Sequence, residues 1–184
     1  MNYQPAAIEG VWIAEPRRFA DQRGYFMETF KLEEFRQAIG RPDLVFVQDN
    51  ESVSSRGVLR GLHLQLGASS QAKLVRVSQG RVLDVAVDLR KDSPTFGRYV
   101  AVELSQENAR QLFIPRHFAH GFAVLSDTAQ FQYKVDNLYD PSSEITLRFD
   151  DPALGIDWLL PTEEMILSPK DLAGLSLAEL AERL

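Results

Sequence analysis

Short apolar runs bounded by turn residues recur along almost the whole chain, and this pattern constrains the fold more than any other feature. The runs are rich in Val, Leu, Ile, Phe and Tyr, and most are too short for a typical helix. They predict strands over residues 11–15, 24–30, 44–53, 57–66, 72–78, 81–89, 98–104, 111–114, 120–125, 129–136 and 145–149. Helices are predicted only at 32–39 and near the end of the chain, where Ser176 and Glu179 have capping-box spacing. We therefore expect an all-β protein with short accessory helices.

One pair of predicted strands is separated by a very short turn. The segment VRVSQGRVLDV, with Gly80 available for a positive backbone angle, predicts a hairpin of antiparallel neighbours. An all-β chain of this length is consistent with a jelly roll, whose two sheets enclose a cavity open at one end. Because no repeat, low-complexity stretch or linker interrupts the chain, we expect a single domain over residues 1–184.

Composition narrows the classes of function. No apolar run approaches the roughly 20 residues that span a bilayer, and the N-terminus lacks a secretory signal, so a cytoplasmic protein outside the membrane is expected. The absence of cysteine excludes disulfides and thiolate nucleophiles. A net charge of -6 argues against a nucleic-acid polymer as partner, although arginines could still hold a small anion.

Four polar side chains interrupt stretches that otherwise look like the wall of a barrel. They are His63 in GVLRGLHLQ, Lys73 in AKLVRV, His120 in FIPRHFAHGF and Tyr133 in AQFQYKV. Each has an ordinary explanation when taken alone: a hydrogen-bonded core histidine, a lysine at a strand edge, or an amphipathic tyrosine. A base, a cation and a phenol that face one cavity together predict proton transfer to and from carbon.

Strand alternation indicates which side chains share a face. Gly61, His63 and Gln65 fall on one face of their strand, and the leucines between them fall on the other. The same parity pairs Gln48 with Asn50 and Phe131 with Tyr133. The predicted cavity therefore contains amides, an aromatic ring and a phenol.

A metal site is the main alternative use of the histidines. Metal-binding proteins of this fold place H-x-H, a downstream Glu and a later His on these strands, but here Gln65 takes the second position and residues 68–73 hold no carboxylate. His63 and His120 alone are too few ligands for a tight site, and Lys73 would oppose a cation. The sequence predicts a cavity without metal.

Several charged residues leave two interpretations open. Asp171 follows a proline in LSPKD, where it could cap a turn or begin the terminal helix, or could instead orient His63 by accepting an imidazole N–H. The remaining charged candidates could be exposed ion pairs, or the basic ones among them could bind phosphate; they are Arg23, Glu28, Arg60 and Lys170.

Long motifs in the same order resemble one family, the metal-free jelly-roll epimerases typified by dTDP-4-dehydrorhamnose 3,5-epimerase. The segments that carry the resemblance are FADQRGYFMETF, FVQDNESVSSRGVLRGLHLQ, AKLVRVSQGRVLDVAVDLRKDSPTFG, LFIPRHFAHGF, YKVDNLYDPSSE, DPALGIDW and LSPKD. Each short motif is weak alone, but together they cover nearly the whole chain.

The resemblance implies a homodimer in which the N-terminal segment, about residues 1–30, joins the partner's sheet and lends it Arg23 and Glu28. It implies that His63 is the base, Tyr133 the acid and Asp171 the residue that orients His63. Lys73 and His120 would lie near the ketone or its enolate. Tyr139 would stack on thymine, and the other residues of the nucleotide-sugar site would be Gln48, Asn50, Arg60, Glu144 and Lys170.

The activity implied by the resemblance is epimerisation of dTDP-4-dehydro-6-deoxy-D-glucose at C3 and C5 to dTDP-4-dehydro-L-rhamnose, with no cofactor. Three alternatives remain: a 3- or 5-only epimerase acting on another nucleotide-linked 4-keto-6-deoxy sugar, a non-catalytic sugar-binding jelly roll, and a metal-dependent relative. Two positions depart from the family pattern. Leu64 replaces a frequent aromatic but should face away from the cavity, and His117 replaces a common glycine at a turn that requires a left-handed backbone.

Overall fold

The computed structural model describes residues 1–184, and strands dominate it. The strands are β1 (Asn2–Pro5), β2 (Trp12–Glu15), β3 (Arg18–Asp21), β4 (Gly24–Met27), β5 (Gln48–Ser55), β6 (Leu59–Gln65), β7 (Lys73–Gln79), β8 (Arg81–Asp88), β9 (Tyr99–Ser105), β10 (Gln111–Ile114), β11 (Phe118–Val124), β12 (Thr128–Val135) and β13 (Glu144–Thr146). The α-helices are α1 (Leu32–Ile39), α2 (Pro169–Leu172) and α3 (Leu177–Ala181), and short 3-10 helices lie at Gly67–Ser69 and Thr162–Glu164.

Two antiparallel sheets face each other and form the predicted jelly roll. The six-stranded sheet has the order β1-β2-β10-β7-β12-β5, and the five-stranded sheet has the order β13-β6-β11-β8-β9. Strands β3 and β4 form a separate two-stranded sheet. The prediction of an all-β fold with short accessory helices is confirmed. No helix is long and apolar enough to cross a membrane.

Apolar side chains fill three layers. The layer between the two sheets includes Val75, Val82 and Phe131, all nearly inaccessible to solvent. Outside the five-stranded sheet, the C-terminal segment packs its own apolar side chains against that sheet. Outside the six-stranded sheet, Phe35 of α1 packs with Phe113. Because the five-stranded sheet is covered on both faces, β11 is buried along its whole length.

The predicted hairpin around Gly80 is wrong. Strand β7 pairs with β10 and β12 in the six-stranded sheet, whereas β8 pairs with β9 and β11 in the five-stranded sheet. Gly80 has φ of 77°, and a Cβ there would lie 2.0 Å from the carbonyl oxygen of Thr128. The glycine therefore turns the chain from one sheet to the other, where no side chain fits.

Most predicted strands are confirmed with shifted ends, and the larger errors lie near the N-terminus. The strand predicted at 24–30 ends at Met27, and β1 and β3 were not predicted because NYQP and RFAD carry few β-branched residues. The strand predicted at 44–53 begins only at Gln48, because Leu44 belongs to the apolar layer beneath α1.

The predictions for helix α1, for the start of α3, and for the backbone at His117 and the side chain of Leu64 are confirmed. Helix α1 occupies residues 32–39, and the capping box of Ser176 and Glu179 begins α3. His117 has φ of 66°, the left-handed conformation expected where the family pattern has glycine. Leu64 is buried against the C-terminal segment, on the face of β6 that points away from the barrel interior.

Candidate active site

A cavity of 540 Å³ lies between the two sheets and is lined by residues from both of them, from α2 and from the segment before α2. The predicted site residues that line it are Arg60, His63, Lys73, His120, Tyr133, Lys170 and Asp171. The structure therefore brings the four polar side chains that interrupt apolar strands to one place.

Strand register explains how these side chains converge. His63 on β6 lies directly opposite His120 on β11, in the five-stranded sheet. In the other sheet, Tyr133 on β12 lies two residues from the partner of Lys73 on β7, so the two side chains are diagonal neighbours on one face. The imidazoles thus come from one wall of the barrel, and the ammonium and phenol come from the other.

His63 forms a close pair with Asp171. Its Nε2 lies 2.7 Å from Oδ1 of Asp171, and the side chains are 26% and 4% exposed respectively. An ionised carboxylate accepts an N–H, so this contact selects the tautomer that carries the proton on Nε2. The lone pair of the base is then on Nδ1, the nitrogen that makes no hydrogen bond to protein.

Asp171 fulfils both interpretations left open by the sequence. It is the third residue of the short helix α2, in a capping box with Ser168, and it also contacts His63. Burial alone would raise the pKa of the carboxyl, but hydrogen bonds from His63, Ser168 and the N–H of Gly61 outweigh burial and hold the pKa well below its usual range. Asp171 is therefore an ionised partner at neutral pH.

His120 forms a second, more deeply buried pair. Its Nε2 lies 2.9 Å from Oδ2 and 3.1 Å from Oδ1 of Asp84, whose side chain is fully buried. The imidazole also stacks near Phe131, with ring centroids 6.0 Å apart. Burial lowers the pKa of His120, and Lys73 and His63 lower it further, whereas Asp84 opposes the shift. His120 is therefore neutral at neutral pH.

Lys73 supplies the cation of the cavity. Its side chain makes no ion pair with a carboxylate, so the ammonium remains available to a ligand. Burial lowers the pKa of Lys73 to about 8, while the charges of Asp84 and Glu144 oppose that shift. The ammonium is still mainly protonated at pH 7, but it is a much stronger acid than an ordinary lysine.

Tyr133 supplies a protonated phenol. Burial raises its pKa, the positive charge of Arg60 opposes this shift, and Glu144 reinforces it. Arg60 itself donates from Nε to Oγ of Ser54 at 3.2 Å, which holds the guanidinium on the same side of the barrel. At neutral pH the phenol therefore has a proton to give.

Glu144 joins two further predicted residues. Its carboxylate contacts the ammonium of Lys170 and accepts a hydrogen bond from the Tyr139 hydroxyl at 2.6 Å. Burial would raise the pKa of Glu144, but these two donors lower it below its usual value. Tyr139 is half exposed, so part of its side chain remains accessible to solvent.

Six predicted residues do not line the 540 Å³ cavity: Arg23, Glu28, Gln48, Asn50, Tyr139 and Glu144. Gln48 and Asn50 share a face as predicted and are hydrogen-bonded at 2.8 Å, but they border smaller neighbouring pockets. Arg23 is exposed and pairs with Asp21 at 2.6 Å, and exposed Glu28 lies 4.0 Å from Lys31. Within one chain, Arg23 and Glu28 are ordinary surface charges, and their predicted transfer to a partner stays a prediction.

Sequence reasoning missed two polar partners of the site, Asp84 and Ser168. Asp84 stands between apolar residues in RVLDVAVD, on the parity that faces the barrel interior, and such a carboxylate in a buried strand was a usable signal. Ser168 had the capping-box spacing to Asp171 that identified the start of α3, so it could have been found in the same way.

The arrangement suits removal of a proton from carbon next to a carbonyl group. An oriented imidazole can act as a base, a desolvated ammonium can stabilise the developing oxyanion, and a phenol of raised pKa can act as an acid. Both imidazoles already direct Nε2 at a carboxylate. The prediction of a site without metal stays a prediction, which metal analysis would test.

Comparison with known proteins agrees with this chemistry. The family model for dTDP-4-dehydrorhamnose 3,5-epimerase matches residues 5–179. The enzyme of that name from Shigella flexneri is 52% identical, with 95% of this chain and 94% of the relative covered. A dTDP-4-dehydrorhamnose 3-epimerase from Streptomyces niveus is 42% identical, with 97% and 85% covered.

A solved structure extends the likeness to three dimensions. The dTDP-6-deoxy-D-glucose-3,5-epimerase of Legionella pneumophila, in complex with dTDP-4-keto-L-rhamnose, superposes with a TM-score of 0.92 at 48% identity, covering 96% of this chain and 93% of that chain. Family match, identity and fold agree along almost the whole length. The chain belongs to the dTDP-4-dehydrorhamnose 3,5-epimerase family.

Proposed function

We propose that this protein epimerises dTDP-4-dehydro-6-deoxy-D-glucose at C3 and C5 to dTDP-4-dehydro-L-rhamnose. The observation that carries the proposal is the convergence of His63, Lys73 and Tyr133 on one cavity, with His63 held by the ionised Asp171. Membership of the epimerase family supports the choice of substrate.

His63 is the proposed base. The ketone at C4 acidifies the protons at C3 and C5, because removal of either gives an enolate whose charge lies largely on the C4 oxygen. With its Nε2–H donated to Asp171, His63 would accept the proton on Nδ1. The imidazolium formed in this step is stabilised by the carboxylate.

Lys73 is the proposed stabiliser of the enolate. Its ammonium makes no ion pair within the chain and is desolvated, so its charge acts on the C4 oxygen with little screening. His120 would lie beside the same oxygen, but it is neutral because burial lowers its pKa. The cation that faces the oxyanion is therefore Lys73 rather than His120.

Tyr133 is the proposed acid at C5. It stands on the six-stranded sheet, whereas His63 stands on the five-stranded sheet, so base and acid approach the sugar from different walls of the cavity. Removal of a proton on one side and return of a proton on the other inverts the carbon without redox chemistry. Because burial raises the pKa of Tyr133, its phenol stays protonated and can donate a proton to C5 of the enolate.

The nucleotide part would lie toward the mouth of the cavity. Arg60 and Lys170 would contact the diphosphate, which accounts for anion binding by a chain of net charge -6. Tyr139 would stack on thymine while Glu144 holds its hydroxyl. The amides of Gln48 and Asn50, next to Tyr133 on the same face, would complete the site.

A homodimer is part of the proposal. Strands β3 and β4 stand apart from both large sheets and expose Phe19, Tyr25 and Phe26, the last of them 70% exposed. Contact with a second copy would cover these rings and would carry Arg23 and Glu28 to the partner's cavity. The proposal also holds that the chain forms one domain in the cytoplasm and needs neither metal nor cofactor.

The test is to incubate the pure protein with dTDP-4-dehydro-6-deoxy-D-glucose in heavy water and to follow C3 and C5 by NMR. Deuterium at both carbons with inversion is the expected result. Inversion at C3 alone would identify a 3-epimerase, the activity named for the Streptomyces niveus relative. Binding of the sugar without any deuterium exchange would identify a non-catalytic sugar-binding protein. Loss of activity on treatment with a chelator would support the metal-dependent alternative.

A further inference from the structure

The two oxygens of the Asp171 carboxylate contact different groups. Oδ1 accepts from Nε2 of His63 at 2.7 Å and from the backbone N–H of Gly61 at 3.2 Å. Oδ2 accepts only from Ser168, whose backbone N–H lies at 3.1 Å and whose hydroxyl lies at 2.5 Å. Four donors fill the usual capacity of an ionised carboxylate, and one residue supplies two of them.

This division fixes the direction of the carboxylate. A carboxylate held through one oxygen can rotate about its Cβ–Cγ bond, whereas donors on both oxygens define its plane. The Ser168 hydroxyl also accepts the backbone N–H of Asp171 at 3.3 Å, so backbone and side chain of Asp171 are tied to the same group. The plane that results aims Oδ1 at His63.

We propose that Ser168 is a positioning residue for catalysis, which acts through Asp171 to hold the imidazole of His63 in its reactive tautomer and orientation. The inference rests on the proposed role of His63 as the base. The chain Ser168–Asp171–His63 joins the start of α2 to the middle of β6, two elements distant in sequence. The capping box thereby becomes part of the catalytic apparatus.

The chain contains a matched capping box without this connection. At the start of α3, the Ser176 hydroxyl lies 2.7 Å from Oε2 of Glu179, and the Glu179 N–H lies 3.2 Å from the Ser176 hydroxyl. Glu179 makes no contact with a histidine, and neither residue lines the cavity. Loss of this second capping box therefore measures how much helix capping alone contributes to kcat.

Ser168→Ala and Ser176→Ala form the test pair, and both positions are outside the apolar core, so neither change leaves a buried void. We expect Ser168→Ala to lower kcat about ten- to a hundredfold with little change in KM. A loss of this size corresponds to the removal of one hydrogen bond to a charged group. Ser168→Thr, which keeps the hydroxyl, should recover most of the loss. Ser176→Ala should keep the kcat of the parent protein.

A second readout does not depend on turnover. The Nε2–H proton of His63, observed by NMR, should shift and exchange faster with solvent in Ser168→Ala but not in Ser176→Ala. An unchanged kcat together with an unchanged His63 signal would overturn the proposal. So would a rise in KM alone, which would make Ser168 a direct substrate contact, or an equal loss of kcat in Ser176→Ala.

The two proposals fail separately. If the parent protein epimerises no nucleotide sugar, the proposed function fails, while the NMR comparison still decides whether Ser168 positions His63. If the parent protein is active and Ser168→Ala is equally active with the same His63 signal, the proposed function stands and the positioning role is wrong.

Discussion

Two imidazole–carboxylate pairs lie in the same barrel and differ mainly in their surroundings. His63 is 26% exposed and meets one oxygen of Asp171, which comes from a short helix far along the chain. His120 is 7% exposed and meets both oxygens of the fully buried Asp84, which comes from the adjacent strand. The imidazole of the His63–Asp171 pair is thus partly exposed to solvent, whereas the imidazole of the His120–Asp84 pair is buried.

The difference in exposure supports the separate roles proposed for the two histidines. A base must meet its substrate and exchange its proton, which requires access, and His63 has a free Nδ1 at the cavity surface. His120 is enclosed by Asp84, Phe131 and the opposite wall, and its lowered pKa keeps it neutral. In the proposed mechanism, burial therefore separates the base, His63, from His120, which stays neutral.

The largest expected effect comes from His63→Ala. Loss of the proposed base should reduce deuterium exchange at both C3 and C5 by about a thousandfold or more, because the proposed mechanism uses one imidazole at both carbons. His120→Ala should retain measurable exchange. NMR of the substrate in heavy water measures both variants, and rapid exchange at either carbon in His63→Ala would remove the distinction between the two pairs.

Tyr133→Phe should separate proton removal from proton return. The variant keeps His63 and Asp171, so some exchange should continue, while inversion at C5 should fall about a hundredfold because the phenolic proton is absent. Product analysis by NMR distinguishes exchange from inversion. Full inversion at C5 by this variant would contradict the assignment of Tyr133 as the acid.

The carboxylates offer a direct contrast between the pairs. Asp171→Asn should lower kcat about a thousandfold, because an amide can present N–H to His63 and favour the wrong tautomer. Asp84→Asn should lower kcat only about tenfold, because the proposed mechanism has His120 take no proton from the substrate. Steady-state kinetics of both variants provide the comparison, and equal losses would mean that both pairs act in proton transfer.

Substitution of Lys73 should have a smaller effect, which appears in the pH dependence of kcat/KM. Since burial lowers its pKa to about 8, the cation is present below pH 8 and is lost as pH rises through that value, and kcat/KM should fall over the same range. Lys73→Arg keeps the charge at higher pH, so the decline above pH 8 should disappear although the maximum rate falls. Lys134→Arg, at an ion pair with Asp49 outside the cavity, is the control. An unchanged alkaline limb in Lys73→Arg would exclude Lys73 as its source.

Local pattern in the sequence predicted most of the fold because strand alternation is a local property. Residues 32–39 and 111–114 have the predicted ends, and His63 and Leu64 face opposite sides of β6 as expected. The turn at Gly80 shows the limit, because a short connection does not reveal whether the next strand stays in the same sheet. That choice depends on pairing with β9 and β11, which lie further along the chain.

Strand alternation and sequence motifs predicted which side chains face the barrel interior. They did not predict contacts between segments that are distant in the sequence. His63 and Tyr133 could be placed on interior faces, but the pairing of His63 with Asp171 joins residues 108 positions apart. Asp84 carries a local signal, as a carboxylate within an apolar strand, but its pairing with His120 on another strand cannot be read from that signal. For Arg23 and Glu28 a single chain offers no test, since their predicted place is in a second copy.

Chemical rescue tests the division of labour between the two histidines most directly, because His63 is accessible enough for a small external base to take its place. We predict that added imidazole restores deuterium exchange at C3 and C5 in His63→Ala, at rates that rise with the basicity of substituted imidazoles. His120→Ala should show no such dependence. Rescue of exchange in His120→Ala, with none in His63→Ala, would contradict the assignment of His63 as the base.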